Sequence, residues 1–104
     1  MNLDDFQKHA VSTVAITQKD VTALAHRGFG LTGEAGIVAD ILKKIIRDKN
    51  GKALAEDVAA IQKRLGDVLY YTAVLADYFD LSLSDIADQN MQQSSTFKAE
   101  RPTK

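Results

Sequence analysis

Residues 55–79 read AEDVAAIQKRLGDVLYYTAVLADYF, and their pattern decides the fold. Val58, Ile61, Leu65, Val68, Leu69, Thr72, Leu75 and Phe79 recur at the 3.6-residue period of an amphipathic helix. No strict alternation of apolar and polar residues competes with that period. The run predicts one long helix over 55–79.

Working outward, Asp48, Lys49, Asn50 and Gly51 form a stop and turn before this helix. Upstream of the turn, Asp20 can cap a long second helix reaching about Arg47. Leu3, Phe6, Ala10 and Val14 predict a first helix near 3–16. Downstream, Ser82 can cap a short fourth helix, with Asp85 three residues on, that fades near Gln93. Pro102 is the only proline, so no helix interior is broken by one. The fold class is therefore all-α, with four helices in one domain over 1–93 and a mobile polar tail over 94–104. No internal repeat is visible.

Composition narrows the function classes. The chain has 104 residues, 45% hydrophobic and 26% charged, as in ordinary globular domains. Thirteen basic and fourteen acidic residues leave a net charge of −1, without the basic excess that nucleic-acid binding needs. No cysteine is present, which removes thiolate metal sites and disulfides. No apolar run approaches the roughly 20 residues of a membrane span. The polar, acidic start does not read as a signal peptide, so a cytoplasmic location is expected.

Several motifs have a plain structural reading beside a chemical one. Gly28 to Gly33 spells GxGxxG, yet the run before it, Asp20 to Arg27, is helical, whereas the dinucleotide fingerprint follows a strand. The spelling is a chance match. Gly28, Gly30, Gly33 and Gly36 in one helix instead predict close approach of a neighbouring helix or a ligand. His9 and His26 stand alone and read as surface or packing residues. Lys43, Lys44 and Arg47 suit either a helix C-terminus or a phosphate contact. Glu34 and Asp67 each lie in an apolar, glycine-containing stretch, where a carboxylate needs an ion-pair partner or a metal.

Those stretches also carry a family resemblance. Gly30 to Lys44, GLTGEAGIVADILKK, resembles the first signature of the MazG-like all-α nucleoside triphosphate pyrophosphohydrolases. Leu65 to Tyr71, LGDVLYY, resembles the second. Leu81 to Asn90 resembles the short last helix with its asparagine, and Phe6-Gln7 fits the first helix. The resemblance covers about residues 3–93. It implies a four-helix antiparallel MazG-like bundle completed by a homodimer or homotetramer. It also implies cleavage of a nucleoside triphosphate to the monophosphate and pyrophosphate, assisted by Mg²⁺. Glu34 and Asp67 then match catalytic metal ligands. Asp40 is a substitute ligand, and Lys43, Lys44, Arg47 and Asn90 are phosphate contacts.

The family's pattern is ExxE on one helix and ExxD on the next, because residues three apart share a helix face. Here the second ligand position is Ile37 and the third is Arg64. The lysine expected three residues after the asparagine is Gln93. Two carboxylates, one aliphatic side chain and one permanent cation stand where the family has four carboxylates. From these replacements the sequence predicts that Arg64 bridges Glu34 and Asp67, that Ile37 fills the vacated position, and that activity is impaired. The alternative reading is an inactive nucleotide-binding or assembly module on the same scaffold.

Overall fold

A computed structural model of the chain describes residues 1–100, with side chains through residue 96. Four α-helices follow one another: α1 (Leu3–Thr13), α2 (Val21–Lys49), α3 (Ala55–Tyr78) and α4 (Leu83–Glu100). No strand occurs among the described residues. The caps account for most of the boundaries. Asn2 accepts the Asp5 amide at 2.8 Å to open α1. Asp20 accepts the Ala23 amide at 3.0 Å to open α2. Ser82 Oγ accepts the Asp85 amide at 3.2 Å to open α4.

At the other end of α2, Asn50 and Gly51 adopt left-handed conformations with φ of 55° and 81°. The Gly51 amide then donates to the Ile45 carbonyl at 3.1 Å, which closes the helix. Asp57 fastens the start of α3. Its carboxylate accepts the Leu54 amide at 2.8 Å and pairs with Lys49 at 2.7 Å.

Two boundaries differ from the sequence prediction. Helix α1 stops at Thr13 rather than 16, where the chain turns extended at Val14 with ψ of 135°. Helix α4 does not fade near Gln93 but continues to Glu100. Good helix formers and the Thr96 hydroxyl, which donates to the Gln92 carbonyl at 3.0 Å, are compatible with that extension. Part of the predicted tail is therefore helical, and residues 101–104 lie outside the described residues.

Helices α2 and α3 form a long antiparallel hairpin. Its cross-contacts run from Arg27 with Val74, through Glu34 with Arg64, to Lys49 with Asp57. Helix α1 packs on α3 and α4, and among the described residues neither α1 nor α4 packs against α2. The four helices thus do not close into a bundle within one chain.

The main buried cluster is correspondingly small: Ala10, Val14, Ala73, Val74 and Leu83, flanked by Phe6, Val11, Tyr70 and Tyr71, with Ala23, Ile45 and Ala76 buried outside it. Gln7 locks this corner. Its amide donates to the Ala73 and Leu81 carbonyls at 3.1 and 2.9 Å, and its oxygen accepts the Leu83 amide at 3.0 Å. The radius of gyration is 16.7 Å, against roughly 13 Å for a compact chain of 100 residues. Much of the α3 stripe that the sequence assigns to a core is open: Val58, Leu65 and Phe79 each keep more than half of their surface exposed.

A guanidinium between two carboxylates

Glu34 on α2 and Arg64 on α3 meet across the hairpin. Arg64 Nη1 lies 3.1 Å from Glu34 Oε2 and 3.4 Å from Oε1. Arg64 is also 4.0 Å from Asp67 Oδ2, one helical turn along α3. Lys63 Nζ reaches the same Asp67 oxygen at 3.3 Å. Arg64 therefore lies within ion-pairing reach of both acids that the sequence singled out. Glu34 is the more enclosed, with 19% of its side chain exposed against 34% for Arg64 and 35% for Asp67.

The remaining candidate residues are arranged differently. Asp40 does not join Glu34 and Asp67. It accepts from Lys44 and Lys43 at 3.0 and 3.3 Å on the outer surface of α2. Those two ammonium groups, Lys44 first, hold its carboxyl below the ordinary 3.8. The cause is angular: six residues past Glu34 turns the side chain by about 120° around the helix. Ile37 keeps 38% of its surface exposed, so it sits at the margin of the hairpin rather than filling a pocket.

Arg47 is engaged by its neighbour Asp48 at 2.8 Å, which holds that carboxyl low. Lys43, Lys44 and Arg47 thus form an exposed basic strip already paired with acids. Asn90 is exposed on α4, a helix that does not contact α2, so the structure does not bring it to that strip. His9 and His26 are exposed, as the sequence predicts, with His26 edge-on to Tyr71 at 6.0 Å.

The donor set does not fit Mg²⁺. Octahedral coordination by hard oxygens needs several converging carboxylates or carbonyls. Among the described residues no group of three or more His, Cys, Asp or Glu side chains converges on one point. A fixed guanidinium lies against the two acids that do approach one another.

Only Gly30 of the glycines in α2 shows the close approach that the sequence predicts for all four. A Cβ there would collide with the Tyr71 ring, whereas Gly28, Gly33 and Gly36 face open space within this chain. The residue that sequence reasoning missed is Arg27. It is 2% exposed and donates to the Val74 carbonyl at 2.7 Å and to Asp77 and the Ile16 carbonyl at 3.4 Å. The signal was present: Ala23, Arg27 and Leu31 are spaced as one helix face, and a cation within an apolar face requires partners.

Over 78 residues the chain is 38% identical to the Gene 37 protein of Mycobacterium phage L5, spanning 75% of this chain and 68% of that protein. The chain belongs to the Gene 37 protein family. No protein-family profile and no solved structure matches it. Among the described residues of this family member, no helix is long and apolar enough to cross a membrane.

Proposed function

We propose that this chain is a MazG-like nucleotide-binding protein of the all-α pyrophosphohydrolase class, in which a guanidinium–carboxylate cluster has replaced the divalent-metal site. The observation that supports this most directly is the position of Arg64, 3.1 Å from Glu34 across the α2/α3 hairpin and 4.0 Å from Asp67. The two acids that match the family's ligand positions approach the same guanidinium from two helices. Arginine keeps its charge at any physiological pH and has a forked set of donors suited to two carboxylates. It supplies the positive charge at that place, and hydrolysis that depends on a metal is weak.

The ligand is the phosphate chain of a nucleoside triphosphate. Lys43, Lys44 and Arg47, with side chains 56–64% exposed, are available to it. Their present partners are surface acids, and exposed ion pairs of this kind are worth about 0–1 kcal/mol, so exchange for phosphate costs little.

Pyrophosphate release from a panel of ribo- and deoxyribonucleoside triphosphates, with and without Mg²⁺, tests the proposal beside metal-free nucleotide titration. The expected result is binding without metal, little turnover by the natural chain, and Mg²⁺ binding by the Ile37→Glu/Arg64→Glu double variant. Either change alone should restore much less, because both pairs must be present. Robust Mg²⁺-dependent turnover by the natural chain would overturn the replacement of the metal site. Absence of nucleotide binding in both proteins would overturn the nucleotide reading.

A further inference from the structure

The guanidinium of arginine carries parallel donors, and the fork made by Nε and Nη2 matches the spacing of two oxygens on one carboxylate or phosphate. The three arginines whose side chains are described use that fork differently. Arg47 commits it to Asp48, with Nε donating at 2.8 Å and Nη2 at 2.9 Å. Arg27 leaves Nε without a partner, but at 2% exposure no ligand reaches it. In Arg64 both acids crowd Nη1. Among the described residues its Nε and Nη2 meet no partner, and the side chain is partly open to solvent.

The two acids hold that fork in place. Glu34 from α2 and Asp67 from α3 anchor Nη1 from two helices, which restricts the swing of a long side chain. Lys63 stands beside it. Its ammonium has three donors, of which one goes to Asp67 at 3.3 Å. Both cations reach the same Asp67 oxygen, so adjoining phosphoryl groups of one polyphosphate can meet both. A diphosphate suits this arrangement better than a lone carboxylate, whose two oxygens the fork already takes. Two cations and two carboxylates leave the cluster neutral, so its affinity comes from directional bonds and not from net charge.

We propose that the Nε/Nη2 fork of Arg64, with Lys63 beside it, binds a metal-free diphosphate group, and that Mg²⁺ competes with this site for the phosphate oxygens. The proposal rests on the nucleotide reading and names the atoms that receive the phosphate chain. Lys43, Lys44 and Arg47 then add attraction at longer range, because their side chains already hold Asp40 and Asp48. Mg²⁺ bridges oxygens of adjoining phosphates and neutralises them, which withdraws the atoms that Arg64 needs. The metal dependence is thus opposite to that of a site built from carboxylates, where the metal carries the phosphate.

Calorimetric titration of the full chain with inorganic pyrophosphate, first without divalent ions and then with excess Mg²⁺, reads the site. Saturable binding is expected without metal, and weaker binding with it. Arg64→Ala should lower the affinity at least ~10-fold, the effect of losing a charge-assisted pair of hydrogen bonds. Arg64→Lys keeps the charge without the fork and should recover little of that loss. Lys52→Ala removes the same formal charge before α3 begins, roughly 13 Å or more along the helix from Arg64, and should change the affinity less than about twofold. Circular dichroism checks that each variant remains helical. No binding of pyrophosphate, binding indifferent to Arg64→Ala, or binding strengthened by Mg²⁺ would overturn the proposal. Full rescue by Arg64→Lys would overturn the fork. A parallel nucleotide titration separates the two readings. Nucleotide binding that survives Arg64→Ala would overturn this site and leave the nucleotide reading standing. Arg64-dependent binding of pyrophosphate without any of nucleotide would uphold the site and overturn the nucleotide reading.

Discussion

Two arginines sit on the inner faces of one hairpin and have opposite characters. Arg27, at the end covered by the α1–α2 connection, is 2% exposed and donates mainly to main-chain carbonyls. Arg64, toward the open end, is 34% exposed and pairs with side-chain carboxylates. A carbonyl partner comes with the backbone and cannot be changed without moving a helix. A carboxylate partner can be exchanged for a phosphate, a metal or water. The first arginine therefore holds the fold, and the second sits where ligand chemistry can change while the hairpin stays in place.

The sharpest way to break this comparison is to remove each arginine in turn. Arg27→Ala should cost about 3 kcal/mol in chemical denaturation, since it opens a buried cavity and strands the Val74 carbonyl and Asp77. Arg64→Ala should cost about 1 kcal/mol or less, because water reaches all three groups of its cluster. Equal losses for the two would remove the distinction between them.

The glycines sharpen the same contrast at the level of the backbone. Gly30→Ala drives a Cβ into the Tyr71 ring and should destabilise by about 1–3 kcal/mol, the usual range for overpacking. Gly33→Ala, one turn along and facing open space, should stabilise by about 0.5–1 kcal/mol through helix propensity. Thermal melts of the two variants should shift in opposite directions. Shifts of the same sign would mean that Gly33 also lies against something.

Much of this was legible in the chain because it depends on local spacing. The 3.6-residue stripe, Asp20, Ser82 and the Asn50-Gly51 turn place all four helices to within a few residues, apart from the end of α4. Arg64 and Asp67 were predictable neighbours, being three apart on one helix. Glu34 was harder, because its meeting with Arg64 depends on the relative register of α2 and α3. Register follows from contacts such as Gly30 against Tyr71, which no single helix reveals. Sequence could not separate the apolar face that packs inside the chain from the one left open, since Val58 and Val74 are equally apolar in text. The burial of Arg27 was legible from its helix face, but its partners were not: two of them are carbonyls, and every residue has one.

The smallest expected effect lies at the turn joining the two long helices, where Lys49 and Asp57 pair at 2.7 Å. The Lys49 ammonium first, and then the Leu54 amide, hold the Asp57 carboxyl below its ordinary value of 3.8. In the unfolded chain that carboxyl titrates near its ordinary value; in the folded chain it titrates lower. Proton binding therefore favours the unfolded state. The stabilisation is fully present above pH 3.8 and is lost as pH falls through the lowered folded value. The difference in stability between the natural chain and Asp57→Asn should shrink as pH is taken from neutral to below that range. Arg27→Ala, whose loss comes from a permanent cation and backbone carbonyls, should keep most of its deficit over the same interval. A deficit for Asp57→Asn that stays constant through acid would mean that the aspartate is missed for the hydrogen bond it accepts from Leu54 and not for its charge. The turn would then owe its stability to capping, and the electrostatic contrast along the hairpin would narrow to the two arginines.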